Sequence, residues 1–278
     1  MAPDPDMPAT ELHPLDAALA LQPLGGDRFA GRTLPEWGNM VGPFGGITAA
    51  HLLQAALLHP GRRGEPLALT VNFAGAVGEG GFEIEARIMR TTRTTQHWSF
   101  VQRQGEVVCS TGSAVFALRR PTWSAPELAM PAVPPAAQVP PARGEPPMQW
   151  PRRYEFRFVE GGWPDFRHAR EEPESRTLLW VRDAPPRPLD APALAAIADV
   201  FYPRVFRRRG RFTPAGTISL TTYFHADAAA LAAQGDRPLL AAAGGRRFTL
   251  GFFDQSAELW SDDGHLLASS HQVVYFKE

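Results

Sequence analysis

A single acidic residue, Asp199, interrupts an otherwise apolar or aromatic run from Ala193 to Tyr202. Asp190 precedes the run as a candidate N-cap, and Pro192 suits the first turn of a helix. A helix that is apolar on all sides must be buried, so this carboxylate is predicted to lie away from water in mid-helix. Burial disfavours the charged form and raises a carboxyl pKa. The residue is therefore either a structural cap or a base that accepts a proton near neutral pH.

Two further polar residues lie on strands that are predicted beside this helix. Thr217 begins the strand after the helix, and Gln272 lies in the last predicted strand, residues 266–276. A buried glutamine carries two donor hydrogens and an acceptor oxygen, and each needs a partner. Taken singly, each residue is more often structural than catalytic.

Motifs of several other enzyme classes are absent from the sequence. There is neither a Gly-x-Ser-x-Gly elbow nor a Gly-x-Gly-x-x-Gly turn after a strand. Lys277 is the only lysine, which argues against a phosphate-binding loop and against Schiff-base chemistry. The 8 histidines lack metal-ligand spacing and Cys109 is the only cysteine, so we predict no metal and no cofactor.

Composition restricts the partners and the location. The chain has 278 residues, 44% of them hydrophobic, which is enough for two domains of ordinary size. The net charge of −1 provides no basic surface for nucleic acid. No apolar run reaches the roughly 18 residues of a membrane span, and the acidic start is unlike a signal peptide. We therefore expect a cytoplasmic protein with neither a nucleic-acid partner nor a membrane span.

The first half is predicted to hold one buried helix among strands. A glycine-rich turn, 38–46, leads into the apolar segment Ile47–His59, whose length and alanine and leucine content favour a helix. A strand is predicted at 28–34 before the helix, and strands at 67–74, 82–92, 96–104 and 106–119 after it. Such an apolar helix should be almost surrounded by other elements.

The second half follows the same plan after a change in composition. Proline recurs every few residues from 121 to 151, which is typical of an extended linker. Strands at 154–159 and 177–181 then precede the helix near Asp199, and strands at 217–225, 239–243, 248–253, 256–261 and 266–276 follow it. Leu69-Thr70-Val-Asn-Phe73 parallels Leu220-Thr221-Thr-Tyr-Phe224, so a duplicated unit explains the order.

A duplicated unit of this kind predicts an α+β fold. One long central helix wrapped by one curved antiparallel sheet buries the apolar surfaces of both elements. We predict an N-terminal repeat at 1–120, a proline-rich linker at 121–151 and a C-terminal repeat at 152–278 that carries the catalytic residues.

The plan resembles the double hotdog fold of the acyl-CoA thioesterase II family over nearly the whole chain. The catalytic groups of that family are an aspartate in the second buried helix, a threonine at the start of the next strand and a glutamine late in the last strand. Asp199 in Ala-Asp-Val-Phe-Tyr-Pro, Thr217 in Gly-Thr-Ile-Ser-Leu and Gln272 in Ser-Ser-His-Gln match these three in order. The resemblance implies an acyl-CoA substrate and a homo-oligomer.

Other residues are predicted to surround the substrate. Gly45 and Gly46, at the end of the glycine-rich turn 38–46, would let the backbone approach the ligand closely. An arginine run at 207–211 is expected to form a solvated loop rather than to contact coenzyme A phosphates. The residues predicted to bind substrate are Phe44, Gly45, Gly46, Ser219 and His271.

Thioester hydrolysis requires a positioned water, a base for its proton and donors for the oxyanion. Asp199 would take the proton while Thr217 and Gln272 fix the water. Backbone N–H groups at a helix N-terminus or a glycine turn would hold the oxyanion. Two alternatives stay open: a hotdog hydratase or dehydratase that pairs Asp199 with His225 or His271, and a non-catalytic protein that binds acyl-CoA or lipid.

The repeat also predicts the number of sites. In the first repeat, the positions that correspond to Asp199, Thr217 and Gln272 fall near Ala56 and on Pro66 and Ser113. None of these side chains can replace its counterpart. We therefore expect one catalytic site per chain, with the first repeat forming a wall of the pocket.

Overall fold

The computed structural model describes residues 12–144, 146–167 and 170–278. These ranges contain five α-helices, which are α1 (Pro14–Ala18), α2 (Gly45–Leu58), α3 (Ala191–Ile197), α4 (Arg204–Arg209) and α5 (Ala228–Gln234). Their strands are β1 (Gln22–Gly25), β2 (Arg28–Arg32), β3 (Glu65–Phe73), β4 (Gly81–Thr91), β5 (Thr95–Gln104), β6 (Val107–Ala117), β7 (Tyr154–Glu160), β8 (Thr177–Asp183), β9 (Ala215–Phe224), β10 (Leu239–Gly244), β11 (Phe248–Thr249), β12 (Phe252–Trp260) and β13 (Leu266–Phe276). None of these helices is long and apolar enough to cross a membrane.

All of these strands belong to one antiparallel sheet. Its order is β1-β2-β4-β5-β6-β3-β9-β13-β12-β10-β8-β7, and β11 pairs with β12. Outward from β3 lie β6, β5, β4 and β2, and outward from β9 lie β13, β12, β10 and β8. Thr70 of β3 is paired with Thr221 of β9, and the two hydroxyl oxygens are 3.0 Å apart. The two halves of the sheet therefore meet along β3 and β9 with the same strand order on each side.

Helix α2 is the buried helix predicted for the first half. Ten of its 14 residues are buried, and they include alanine and leucine side chains that contact the sheet and α3. Proline at position 60 follows its C-terminal residues and cannot extend a helix. The predicted range, 47–59, differs from the observed range by two residues at the start and one at the end.

Helix α3 is shorter than predicted, and Asp199 lies after it rather than in its middle. Asp190 caps the helix by accepting a hydrogen bond from the Ala193 N–H at 2.9 Å. The helix ends at Ile197, where the backbone N–H of Asp199 bonds to the carbonyl three residues back. Pro203 disfavours helical backbone at Tyr202, so a helix cannot extend to the end of the apolar run. The prediction of a long central helix in the second half is wrong.

The proline-rich stretch at 121–151 contributes to the common core. It contains two short 3₁₀ helices, Ala136–Gln138 and part of Trp150–Arg153. The indole of Trp150 is buried and stacks on Phe44, with ring centroids 4.2 Å apart. Trp180 of β8 donates a hydrogen bond to the Pro134 carbonyl at 2.9 Å. The stretch therefore packs against the start of α2 and against the second half of the sheet.

The arginine run near 207–211 overlaps a helix, so its prediction as a solvated loop is wrong. Helix α4 begins just after Pro203 and includes Arg207, while Arg209 and Arg211 form ion pairs with Glu278 at 2.9 and 3.1 Å. These pairs hold two arginines against the chain terminus and leave them partly covered by protein.

Candidate active site

The turn after α3 places Asp199 against the first turn of α2. The Gly46 backbone N–H donates a hydrogen bond to the Asp199 carboxylate. A Cβ atom at Gly45 would lie 2.6 Å from Asp199 Oδ2, and one at Gly46 would lie 2.4 Å from the Ala196 carbonyl oxygen. Only glycine permits this approach. The positive end of the α2 dipole therefore faces a carboxylate, the arrangement expected for an anion at a helix N-terminus.

A chain of hydrogen bonds joins the three residues predicted to be catalytic. Gln272 Nε2 donates to Asp199 Oδ1 at 2.7 Å. Thr217 Oγ1 donates to Gln272 Oε1 at 3.3 Å. The threonine hydroxyl thus fixes the orientation of the amide, with its nitrogen toward the carboxylate.

A β-bulge brings Thr217 to the inner face of the sheet. The pairing of β9 with β13 has an extra residue, Ile218, between Thr217 and Ser219. Side chains of a regular strand alternate between two faces, and buried Leu220 marks the inner face. Without the bulge, Thr217 would point outward, because it lies three residues from Leu220. The bulge turns its hydroxyl inward, where it meets Gln272.

Burial raises the pKa of Asp199 from its ordinary value of 3.8 to about 7. The hydrogen bonds from Gln272 and from the Gly46 backbone favour the ionised form and act in the opposite direction. Near neutral pH the carboxylate and its conjugate acid are therefore both populated. A group in this state can accept a proton and later return it.

Two adjoining cavities meet at Asp199 and Thr217. The larger has a volume of about 390 Å³ and extends along residues 73–77, which begin at the last residue of β3, to Tyr275. The smaller has a volume of about 90 Å³. Both are also lined by Asn39 and Met40 from the turn before α2. The aromatic side chains of the small cavity are Phe44, Trp150, Phe201 and Tyr202.

A third cavity of about 680 Å³ continues from the 390 Å³ cavity toward Arg32 and Gln149. The two share Asn39, Pro43 and Val77 in their linings. A ligand with a reacting group at Asp199 therefore has a large space on one side and a small aromatic space on the other.

Three of the five residues predicted to bind substrate lie at this site. Phe44 lines the small cavity, Gly45 lines the 390 Å³ cavity, and the backbone of Gly46 holds Asp199. Each belongs to the turn that starts α2.

The structure does not bring Ser219 or His271 to the carboxylate. Because each adjoins a buried, inward-facing residue on its strand, each points to the outer face of the sheet. The His271 imidazole forms a hydrogen bond with the Ser256 hydroxyl at 3.1 Å. The His225 imidazole similarly contacts the Ser269 hydroxyl at 3.0 Å.

Some residues of the site were not predicted from the sequence. Gln255 of β12 is 2% exposed and lines the small cavity, but the predicted strand began only after it. The alternation along the strand does indicate that Gln255 points inward, because Phe253 and Ala257, two residues before and after it, are apolar and buried. A polar residue at such an inward position is informative. For Asn39 and Met40, the sequence gave no indication of a place in the site beyond their position in a glycine-rich turn.

Another carboxyl group, Asp183 at the end of β8, shows that a raised pKa alone does not define the site. Burial raises its pKa to about 7, and nearby Arg187 acts in the opposite direction. Asp183 lines none of the three cavities around Asp199. Within residues 12–144, 146–167 and 170–278, no three or more His, Cys, Asp or Glu side chains are grouped so as to hold a metal ion.

Comparison with protein families gives matches in both halves. Residues 34–117 match the family model of the acyl-CoA thioesterase N-terminal domain, and residues 131–276 match that of the acyl-CoA thioesterase C-terminal domain. The second match alone spans more than half of the chain. No curated protein matches the sequence.

Solved structures show the same fold. A conserved protein of unknown function with a hot dog fold from Alicyclobacillus acidocaldarius has 46% sequence identity and a TM-score of 0.91, covering 96% of this chain and 99% of its own. A putative thioesterase II from Thermobifida fusca YX has 20% identity and a TM-score of 0.79, with coverages of 96% and 99%. The tesB protein of Mycobacterium avium subs paratuberculosis has 20% identity and a TM-score of 0.78, with coverages of 95% and 98%.

Proposed function

Because the chain belongs to the acyl-CoA thioesterase family, it is a thioester hydrolase, and we propose that Asp199 is the base that activates water for attack on an acyl-CoA. The observation that carries this proposal is the buried Asp199 carboxyl at the junction of two cavities. Its pKa of about 7 suits a general base at neutral pH.

The proposed reaction needs no covalent enzyme intermediate. Asp199 takes a proton from water as the water oxygen bonds to the thioester carbon. The carbonyl electrons move to oxygen and form an oxyanion. When the carbonyl re-forms, the carbon–sulfur bond breaks and the proton on Asp199 passes to the leaving thiolate. The products are a free acid and coenzyme A, and the carboxylate is regenerated.

Thr217 and Gln272 have positioning roles in this proposal. Gln272 uses one amide hydrogen for Asp199 Oδ1, which leaves its second hydrogen for the attacking water. Thr217 donates to the glutamine oxygen and keeps its own oxygen free to accept from that water. Both side chains line the small cavity beside Asp199. Water held by three groups would attack along one direction.

The first turn of α2 supplies candidate donors for the oxyanion. The first N–H groups of a helix have no acceptor within the helix. The Gly46 N–H is used by Asp199, so its neighbours in the same turn are the proposed oxyanion donors. The helix dipole favours the negative charge that develops there. A base and oxyanion donors then lie within one small region.

We also propose that the chain consists of two hotdog repeats, 1–120 and 152–278, joined by the stretch 121–151. The equal strand order on the two sides of β3 and β9 supports this division. Thr70 and Thr221 are paired with each other, and four residues back from each lie Pro66 and Thr217, which are therefore counterparts. The same register makes Ala114, rather than Ser113, the counterpart of Gln272. The first repeat thus lacks the hydroxyl, so a single catalytic site per chain is expected, with the start of α2 as its wall.

The hydratase alternative lacks structural support. It needs an acid–base partner for Asp199, and neither His225 nor His271 lines a cavity that contains Asp199. The non-catalytic alternative is a matter for experiment. A cytoplasmic location and self-association stay predictions.

Release of free thiol from a panel of acyl-CoA esters tests the proposed function. The wild type should release thiol, and Asp199→Asn should lower kcat by roughly 10² to 10⁴, the usual contribution of a general base. Asp183→Asn is the matched control, because it also replaces a buried carboxyl of raised pKa but lies outside the cavities.

A folded, fully active Asp199→Asn variant would refute the assignment of the base. Hydration of an unsaturated acyl-CoA without thiol release would support the hydratase alternative. Binding of acyl-CoA without any turnover by the wild type would support the non-catalytic one.

A further inference from the structure

We propose that Gln255 determines acyl specificity by donating a hydrogen bond to an oxygen atom on a short, uncharged acyl group. This inference rests on the proposed function, because it assigns the 90 Å³ cavity beside Asp199 to the acyl group.

The side-chain amide nitrogen of Gln255 has no hydrogen-bond partner in the part of the chain that the structure describes. The residue is 2% exposed, and its Nε2 atom is buried without a hydrogen bond to any described residue. Buried donors are almost always paired, because an unmet donor is costly. Gln255 lines the small cavity, so a ligand in that cavity is the nearest acceptor that we can infer for its amide.

A second buried glutamine shows that this fold can satisfy such a side chain internally. Gln96 of β5 is 2% exposed, as Gln255 is. Its Nε2 atom donates to the Gly61 carbonyl and to a threonine hydroxyl, both at 3.0 Å, and its Oε1 atom accepts a backbone N–H at 2.9 Å. The Gln96 amide is satisfied by the protein, whereas the Gln255 amide nitrogen is not. We therefore infer that the Gln255 amide binds a ligand.

The sheet register places Gln255 beside the reacting groups. It is paired directly with Gln272 across β12 and β13, so their Cβ atoms lie about 5 Å apart. Gln272 in turn contacts Asp199. Gln255 lines the small cavity but not the 390 Å³ cavity. An acceptor on the ligand should therefore lie only a few bonds from the thioester carbon, on the acyl side.

The size of the cavity indicates a short chain. Its volume is about 90 Å³. A cavity of about 150 Å³ holds one benzene molecule in a well-studied engineered protein. The small cavity is lined by Phe44, Trp150 and Phe201, all of which are buried. A chain of a few carbon atoms fits this space, whereas a long chain would require these side chains to move.

The charge of the cavity lining excludes an acyl group that carries a carboxylate of its own. The described residues that line the small cavity include no lysine, arginine or histidine, and their only ionisable carboxyl is that of Asp199. An anionic acyl group would lose its hydration and meet a like charge. A hydroxyl or carbonyl oxygen needs only the donor that Gln255 offers. The inferred substrate class is a short hydroxyacyl or oxoacyl thioester.

Matched CoA esters test this inference. The probes are butyryl-CoA, 3-hydroxybutyryl-CoA, acetoacetyl-CoA and succinyl-CoA, with kcat/KM measured for the wild type, Gln255→Met and Gln102→Met. Methionine keeps the length of the side chain and removes both donor hydrogens. Gln102 of β5 is the matched control, because it is 1% exposed and lines no cavity around Asp199.

The wild type should prefer at least one oxygenated four-carbon ester over butyryl-CoA by roughly tenfold or more, with succinyl-CoA the poorest. Gln255→Met should remove that preference by lowering kcat/KM for the oxygenated ester about 10- to 100-fold, with butyryl-CoA changed about threefold or less. The hydroxy and oxo probes distinguish the two oxygen types. Gln102→Met should leave the preference intact.

An equal loss on all four esters, or an unchanged preference in Gln255→Met, would overturn the inference. If Gln255→Met does not fold, Gln255→Leu provides the same comparison. Wild-type hydrolysis of butyryl-CoA without any preference would defeat this inference alone. The absence of thiol release from every ester would instead defeat the proposed function.

Discussion

Replacing Asp199 by asparagine should stabilise the folded protein, and more so as the pH rises. The carboxyl has a pKa of about 7 in the folded protein and an ordinary value of 3.8. A raised carboxyl pKa means that the folded state holds a proton which the unfolded chain has already lost. The cost to folding therefore begins as the pH rises above 3.8, grows until about 7 and is constant above that. Asparagine carries no such cost.

The size of the effect follows from the two pKa values. At about 1.4 kcal/mol per pH unit, the span from 3.8 to about 7 corresponds to about 4 kcal/mol at pH 8. At pH 5 only the part of the cost between pH 3.8 and pH 5 has accumulated, which is roughly 1 to 2 kcal/mol. The free-energy advantage of Asp199→Asn over the wild type should therefore grow by roughly 2 to 3 kcal/mol between pH 5 and pH 8. The amide oxygen can still accept from Gln272, so most of the contacts survive.

Urea unfolding of both proteins at pH 5, 6, 7 and 8 measures this difference. Other titrating groups, including Asp183, are present in both proteins and cancel in the difference. Ser219→Ala is a control on the outer face of β9, and its difference from wild type should not vary with pH. An Asp199→Asn difference that is constant from pH 5 to pH 8, or one that shrinks as the pH rises, would refute the assigned environment of Asp199.

Four other outcomes are expected. The kcat/KM of the wild type should fall about tenfold per pH unit below a pH of about 7, because the active carboxylate is protonated there; a flat profile down to pH 5 would contradict this. Gln272→Leu and Thr217→Val should lower kcat by roughly 10- to 100-fold, with the larger loss for Gln272, which touches Asp199 directly; an unchanged kcat in Gln272→Leu would count against its role. Gly45→Ala should reduce activity strongly while Gly244→Ala should not, because a methyl at Gly45 would lie 2.6 Å from Asp199 Oδ2, whereas a methyl at Gly244 would have no atom within 4 Å. Light scattering should give a multiple of 30.4 kDa, since the sheet ends in the edge strands β1 and β7; a mass of 30.4 kDa at every concentration would refute self-association.

The sequence indicated the family through the motifs around Asp199, Thr217 and Gln272. It indicated most of the strands and the first buried helix because local alternation and apolar content predict them. Alanine and leucine in a 13-residue apolar segment predict a buried helix whether or not its surroundings are known, and α2 is that helix. The family prediction is confirmed by the two domain matches. Helix α5 was not predicted, although Asp227 caps it by accepting from the Ala230 N–H at 2.8 Å.

Features that depend on more than one strand were beyond the sequence pattern. The bulge at Ile218 is a property of the β9–β13 pairing, and it decides which face Thr217 occupies. The outward position of His271 follows from the same register. Pro203 restricts the backbone of Tyr202 only, so it does not account for the end of α3 at Ile197. The catalytic roles of Asp199, Thr217 and Gln272 stay predictions, although the structure brings the three side chains together.

A single turnover in water labelled with oxygen-18 tests the central claim most directly. The enzyme is used in excess over one acyl-CoA ester, and both the released acid and the Asp199 peptide are examined by mass spectrometry. If Asp199 acts as a base for direct attack by water, the acid formed in the first turnover carries one labelled oxygen and Asp199 stays unlabelled. Unlabelled acid together with label in the Asp199 carboxyl would show that Asp199 attacks the thioester itself, and would contradict the account.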